Sequence, residues 1–214
     1  MNNLYKAITL RIVLADLKEL DRQFSNPQKE GTSLMFFLSI KNALIIVSNF
    51  VDEELKLRYL YKENRDLSQI FKKEEKAYTF TKYLRNKFAG HISSELIEKA
   101  IEWRPDIRLG LDQLDNQEVM YITNLYVLET AINSYVDENQ KNKYFPFNNF
   151  DFIYPPDYEE FLKFLTIIIR NSIEYLETTL KVLDISNYQL STTSPKSIMH
   201  WVKAAETEFK FLKK

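Results

Sequence analysis

Residues 33–51, which read SLMFFLSIKNALIIVSNFV, indicate the fold class of this chain. Phe37, Ile40, Leu44, Val47 and Val51 recur at intervals of three and four residues, the spacing that places side chains on one face of an α-helix. Further apolar residues widen that face, so the helix is apolar around much of its circumference. We predict one long helix over residues 32–61 at the centre of the fold.

The same helix is the best candidate for a membrane span, but its polar residues argue against that role. Lys41 and Asn42 lie at its middle, where polar side chains cost most in a bilayer. We therefore interpret it as the buried core helix of a cytoplasmic protein with no membrane partner. Asn42 is expected to be buried and to bond a neighbouring helix, or else to reach the functional site. Arg11 and Asp16 interrupt the apolar run that a signal peptide would need.

Composition excludes several other classes of protein. Of 214 residues, 45% are hydrophobic and 28% are charged, which is ordinary for a soluble chain. Three glycines and six prolines are too few for the many turns of a β-sandwich or barrel. The absence of cysteine excludes disulfides, thiol catalysis and cysteine zinc sites. No glycine-rich phosphate loop or serine elbow is present, and we expect no metal site and no cofactor.

Apolar residues at helical spacing predict further helices on both sides of the central one. They cover about residues 3–24, 77–89, 93–103, 117–137, 157–184 and from 195 onward. Residues 61–75 are expected to be irregular or a short helix, and Asp157 is expected to cap the helix that follows it. The chain, residues 1–214, is thus predicted to be a single all-α domain, a helical bundle with long central helices.

Residues 83–91, YLRNKFAGH, carry the strongest chemical signal. Arg85 can hold a phosphate with two parallel hydrogen bonds, and His91, one of two histidines, can exchange protons near neutrality. On a regular helix, six residues span about 600° of rotation and roughly 9 Å of rise, so the two side chains would point about 120° apart. They converge if Gly90 distorts the helix, if the arginine folds over, or if two copies of the motif meet across a dimer.

Arg85-Asn86, four further residues and His91 resemble the arginine–polar–spacer–histidine signature of HEPN domains, all-helical proteins common in prokaryotic toxin and anti-phage systems. The long apolar helix upstream and the amphipathic segment 94–103 fit that context. The resemblance covers residues 1–110 as HEPN-like helices, with residues 111–214 as additional helices packed on them. It implies a homodimer in which the two motifs face each other across a shared groove.

The resemblance also implies a reaction, which is metal-independent cleavage of RNA within a toxin–antitoxin or anti-phage system. Arg85 would stabilise charge on the phosphate, and His91 would act as general base or acid. Asn86 would orient the phosphate or a water, while Lys82 and Lys87 would bind the substrate. The RNA would be single-stranded or looped, where its backbone is reachable. A cognate antitoxin protein is a further partner of such a system.

A non-catalytic, HEPN-like helical interaction module is the alternative. It predicts a buried His91 pinned to a backbone group, and an Arg85 paired with an acidic neighbour. The lysines around the motif have two interpretations as well, a phosphate-binding funnel or a solvated helix face. Because the net charge is −1, RNA binding requires a local basic patch. The aromatic loop 139–156 is interpreted as a strap that docks rings onto the core or as part of a dimer face, with base stacking as the other possibility.

Overall fold

The apolar stripe of residues 33–51 forms the centre of an all-α helical bundle. The computed structural model describes residues 3–25, 33–113, 115–147, 149–183 and 195–208. Within those residues there is no β-strand, and one isolated bridge joins Val136 to Asn142. The α-helices are α1 (Asn3–Phe24), α2 (Leu34–Leu57), α3 (Arg65–Lys73), α4 (Glu75–Leu84), α5 (Ser94–Trp103), α6 (Gln117–Asn133), α7 (Pro155–Val182) and α8 (Pro195–Ala205).

Helix α2 is the core helix that its sequence predicted. Its stripe residues Phe37, Ile40, Leu44 and Val47 have no exposed surface, and the helix contacts α1, α4, α6 and α7. Ser33 caps its start by accepting the Phe36 N–H at 3.1 Å. The helix and the 3-10 turn after it are long and apolar enough to cross a membrane, yet half of the most apolar window is buried against other helices.

Helices α1 and α7 pack antiparallel along one side of α2. Two ion pairs fix their register, Lys18 to Glu177 at 2.6 Å and Arg170 to Asp21 at 2.7 Å. Both pairs are substantially exposed, so each contributes at most about 1 kcal/mol to the stability of the fold. The contact between these helices therefore depends mainly on their buried leucine, isoleucine and phenylalanine side chains.

Several element boundaries differ from the sequence-based prediction. Helix α2 ends at Leu57, and the chain continues as a 3-10 turn over Arg58–Lys62. Residues that were expected to be irregular or a short helix contain α3, whose Leu67 is fully buried. Helix α6 ends at Asn133 rather than near residue 137. A polar stretch at 186–194, predicted to link the last two helices, lies outside the described residues, as do Asn26 and Pro27, predicted to end the first helix.

Two predicted roles of polar residues are wrong. Asn42 is exposed, because it lies on the outer face of α2; the neighbouring Lys41 is the partly buried polar residue there. Asp157 does not cap α7, since the helix begins two residues earlier, at Pro155, and Tyr154 is at the N-cap position. The Asp157 carboxylate instead accepts the Asp151 N–H at 2.9 Å and fixes the end of the aromatic loop.

The aromatic loop is a strap packed on the core, as predicted. Phe145, Phe150 and Phe152 are each at most 6% exposed, and their rings contact one another and α7. Asn133, at the end of α6, holds the strap through two 2.8 Å hydrogen bonds with the backbone of Phe150. These rings are part of the hydrophobic core, so they are not available to stack on a base.

Candidate functional site

The motif lies on a distorted helix end. Helix α4 continues beyond Leu84 as a π turn over Arg85–Ala89, and the Gly90 N–H donates to the Arg85 carbonyl at 2.7 Å. The predicted distortion at Gly90 is therefore confirmed. Single π turns within helices occur frequently at functional sites. The chain then leaves the helix at His91, and Ser93 caps α5 by accepting the Leu96 N–H.

Arg85 is held partly inside this turn. Its Nη1 donates to the Asn86 side-chain oxygen at 3.0 Å, while its Nε is buried without a hydrogen-bond partner in the described part of the chain. Gly90 packs directly on this side chain, since a Cβ at Gly90 would stand 3.0 Å from the Arg85 carbonyl oxygen and 3.4 Å from Nε. The turn therefore restrains the guanidinium without neutralising it.

His91 is exposed and follows the π turn directly. Within the described residues it makes no hydrogen bond or ion pair, so its ring is accessible to a ligand. The structure thus brings Arg85 and Asn86 into contact and places His91 on the adjoining link to α5. Neither the buried histidine nor the acid-paired arginine expected of an interaction module is found there.

The two lysines predicted to bind substrate have different surroundings. Lys82 forms an ion pair with Asp52 of α2 at 2.7 Å, so part of its charge is already compensated. Lys87 is exposed and has no ion pair within the described residues. The other lysines upstream, Lys72, Lys73 and Lys76, are exposed on α3 and α4. Of the predicted pair, Lys87 is therefore the residue with a charge free to meet a ligand.

A cleft of about 340 Å³ opens between the motif and α5. Its lining includes Tyr83 of α4, Lys87 of the π turn and Ser134, which follows α6. Burial raises the pKa of Tyr83, with the neighbouring Tyr135 and Glu95 adding to the effect. Three glutamates (Glu95, Glu98, Glu102) and two lysines (Lys87, Lys99) share the cleft, so it does not favour a phosphate backbone.

Lys41 is the charged residue near the motif that the sequence-based site prediction missed. It belongs to the middle of α2, where its type was taken only as an argument against a membrane span. In the structure its ammonium stands 4.8 Å from the ring centroid of Phe88, a residue of the π turn. The signal in the sequence was a single charged residue within an apolar helix. A charge in such a position requires either a pairing group in the fold or a bound ligand.

Comparison of the chain with protein-family models, with curated protein sequences and with solved structures finds no match. The functional interpretation therefore depends on the chemistry of the motif and on its surroundings in the fold.

Proposed function

We propose that this chain is a metal-independent endoribonuclease of a toxin–antitoxin or anti-phage system, with a HEPN-like arrangement of Arg85, Asn86 and His91. The observation that carries the proposal is the environment of Arg85 and His91. The arginine is restrained by a π turn and has no carboxylate partner within the described residues, and His91, which follows the turn, is exposed. A restrained, unneutralised cation next to an accessible proton carrier is the arrangement that phosphate cleavage requires.

The reaction would use the 2′-hydroxyl of the RNA itself. That oxygen attacks the adjacent phosphorus, the bond to the 5′-oxygen of the next nucleotide breaks, and a 2′,3′-cyclic phosphate forms. His91 would remove the proton from the nucleophile or deliver one to the leaving oxygen. Arg85 would stabilise the charge on the phosphoryl oxygens. Asn86, which already bonds Arg85, would keep the guanidinium oriented.

The proposed active form is a homodimer in the cytoplasm, with a groove shared by two motifs. A shared groove supplies two arginines and two histidines to one phosphate, so a single chain need not bring its own Arg85 and His91 together. Lys87 would bind the RNA near the cleavage point, and Lys82 would do so only if its ion pair with Asp52 opened. A cognate antitoxin would act by covering the exposed motif.

The direct test is cleavage of a labelled single-stranded RNA in the presence of EDTA. We expect cyclic-phosphate ends from the wild type, and a loss of roughly 10²–10⁴-fold in rate for His91→Ala. His91 is exposed, so the variant should keep its stability within about 0.5 kcal/mol, which urea unfolding checks. Cleavage that survives the substitution, or that is absent from the wild type, would contradict the proposal.

The shared groove has its own test, which is to mix two inactive variants. In a heterodimer of Arg85→Ala and His91→Ala, the groove keeps one intact arginine and one intact histidine. We expect cleavage to return in the mixture and to be absent from either variant alone. A mixture as inactive as its components, although subunit exchange is shown, would exclude the composite site.

A further inference from the structure

Lys41 lies at the junction of three elements: α2, the π turn and α6. Its ammonium donates a hydrogen bond to the Asn124 side-chain oxygen at 2.7 Å. It also stands over two aromatic rings, 4.8 Å from the centroid of Phe88 and 5.4 Å from that of Phe37. Phe88 belongs to the turn that carries Arg85, so Lys41 contacts that turn from α2.

The three stretches that meet at Lys41 contain no carboxylate. Lys41 is the only charged residue between positions 33 and 51, and residues 119–128 of α6 have no charge. Residues 84–93 carry Arg85, Lys87 and His91 and no acid. We call the surface formed by these three stretches the basic junction. Every formal charge that its sequence supplies is positive, so it favours an anion although the whole chain is slightly acidic.

The environment of Lys41 is costly for a residue used in packing alone. The residue is partly buried, and within the described residues no carboxylate pairs with it. Burial lowers the pKa of Lys41, which means that its charged form is incompletely solvated. An ammonium has three N–H donors, and Asn124 accepts from only one of them. Apart from its contacts with the Phe88 and Phe37 rings, the ammonium has two donors without a hydrogen-bond acceptor in the described residues, and these remain for a ligand.

We propose that Lys41 binds a backbone phosphate of RNA beside the phosphate that Arg85 holds, so that the substrate strand runs over the basic junction. This inference rests on the proposed ribonuclease function. It also selects one side of the motif for the strand. The cleft toward α5, which Lys87 also lines, has more glutamates than lysines, whereas the three stretches that meet at Lys41 carry only cations.

The test is the salt dependence of binding to a fluorescein-labelled single-stranded DNA oligonucleotide, which lacks the 2′-hydroxyl and cannot be cleaved by this reaction. Each phosphate contact adds about 0.7 to the slope of log affinity against log salt for a single strand. Lys41→Met should lower that slope by about 0.7 and weaken binding roughly tenfold at low salt. Lys56→Met is the matched control, because Lys56 lies on the same helix but pairs with Glu53 at 2.6 Å.

The stability of Lys41→Met distinguishes phosphate binding from a structural role. If Lys41 binds phosphate, the substitution removes a poorly solvated charge, so the variant should unfold at the same or a higher urea concentration than the wild type. An unchanged slope and affinity in a folded Lys41→Met would overturn the inference, as would the absence of oligonucleotide binding by the wild type. If the variant does not fold, acetylation of wild-type lysines decides: the oligonucleotide should protect Lys41 and not Lys56, and no protection overturns the inference.

Cleavage assays separate this inference from the proposed function. If the salt dependence of binding depends on Lys41 but the protein cleaves no RNA, the proposed ribonuclease activity is contradicted and the phosphate contact of Lys41 is supported. RNA cleavage by the wild type, with full activity and an unchanged slope in Lys41→Met, would keep the ribonuclease and remove Lys41 from its substrate track.

Discussion

Arg104 and Arg85 belong to two regions of the molecule that treat a guanidinium differently. Arg104 donates to Glu129 Oε1 through Nε at 2.9 Å, and its Nη2 lies 2.8 Å from the same oxygen. It also pairs with Asp151 and lies over the Tyr126 ring. Arg85 donates only to the uncharged Asn86 among the described residues, and its Nε has no partner. The first arginine is neutralised and joins the aromatic strap to the helices, whereas the second keeps its charge at an accessible turn.

The carboxylate beside Arg104 explains why that region is structural. Glu129 is 5% exposed, and its second oxygen accepts the Phe152 N–H at 3.0 Å. Burial raises the pKa of Glu129, although the hydrogen bonds from Phe152 and Arg104 oppose the shift. A carboxylate in that position must keep its cation, so the cluster fixes the fold and has little capacity left for a ligand. Arg104, whose charge is compensated, therefore stabilises the fold, whereas Arg85, whose charge is not, can bind a ligand.

The largest expected effect comes from truncating each arginine to alanine. Arg104→Ala leaves a buried carboxylate without its cation, so we expect a loss of about 3 kcal/mol in the free energy of unfolding. Arg85→Ala should change that free energy by no more than about 0.5 kcal/mol, since it removes one partly exposed bond. Urea unfolding of both variants measures the contrast. Similar losses in the free energy of unfolding for the two variants would show that Arg85 stabilises the fold as much as Arg104 does.

The pH dependence of Arg104→Ala sharpens the same contrast. Because the folded pKa of Glu129 is raised, the folded state binds a proton more readily than the unfolded state, and stability from this group grows as pH falls through the folded pKa. Without Arg104 the pKa of Glu129 rises further. The difference in free energy of unfolding between Arg104→Ala and the wild type should therefore become smaller as the pH is lowered toward 5. A gap that stays constant with pH would mean that the lost stability does not come from the charge of Glu129.

The second effect concerns the attachment of the strap. Asn133→Ala removes both hydrogen bonds to the Phe150 backbone, so we expect a loss of about 2 kcal/mol and faster hydrogen exchange at the Phe150 amide. Asn139→Ala, at an exposed position in the same loop, is the control and should stay within about 0.5 kcal/mol of the wild type. Unchanged exchange at Phe150 would mean that ring packing alone holds the strap.

These contrasts also mark what the sequence can predict. Periodicity identified α1 to its end residues, and it identified α2 as the core helix, because burial of an apolar face dominates where such helices form. It placed Asn42 inside and overlooked Lys41, since adjacent residues differ by about 100° around a helix and the stripe is wide. The partners of Arg104 lie on α6 and on the strap, far along the chain, so local pattern could not pair them.

The site was predictable only in part for the same reason. Gly90 marked the distortion, because a glycine inside an apolar helical pattern is costly and needs a reason. The position of Lys41 beside Phe88 depends on how α2 packs against the π turn, which is a tertiary contact. The ion pair of Lys82 with Asp52 is likewise a contact between two helices. Residue types suggested the chemistry, and packing determined which charges remain available.

The third effect tests the π turn itself through Gly90→Ala. The backbone of Gly90 is in the ordinary right-handed region, so alanine adopts it without strain, but its Cβ would press on the Arg85 carbonyl at 3.0 Å. We expect a change in stability of less than about 1 kcal/mol and a loss of roughly tenfold in RNA cleavage, because the guanidinium is displaced. Thr79→Ala, at an exposed position of α4, is the control and should leave cleavage unchanged. Cleavage by Gly90→Ala at the wild-type rate would show that the reaction does not depend on the geometry of the π turn.

The smallest effect distinguishes the two lysines predicted to bind substrate. Lys82→Gln breaks an exposed pair with Asp52, and the cost in stability should be at most about 0.5 kcal/mol. Because that pair already compensates the Lys82 charge, Lys82→Gln should lower the salt dependence of oligonucleotide binding by less than Lys87→Gln does. Lys87 has no such pair within the described residues, so its removal should reduce the slope of log affinity against log salt by about 0.7. A larger decrease in slope for Lys82→Gln than for Lys87→Gln would show that the nucleic-acid strand reaches Asp52 and opens its ion pair with Lys82. The strand that runs over the basic junction would then also have to extend along α4.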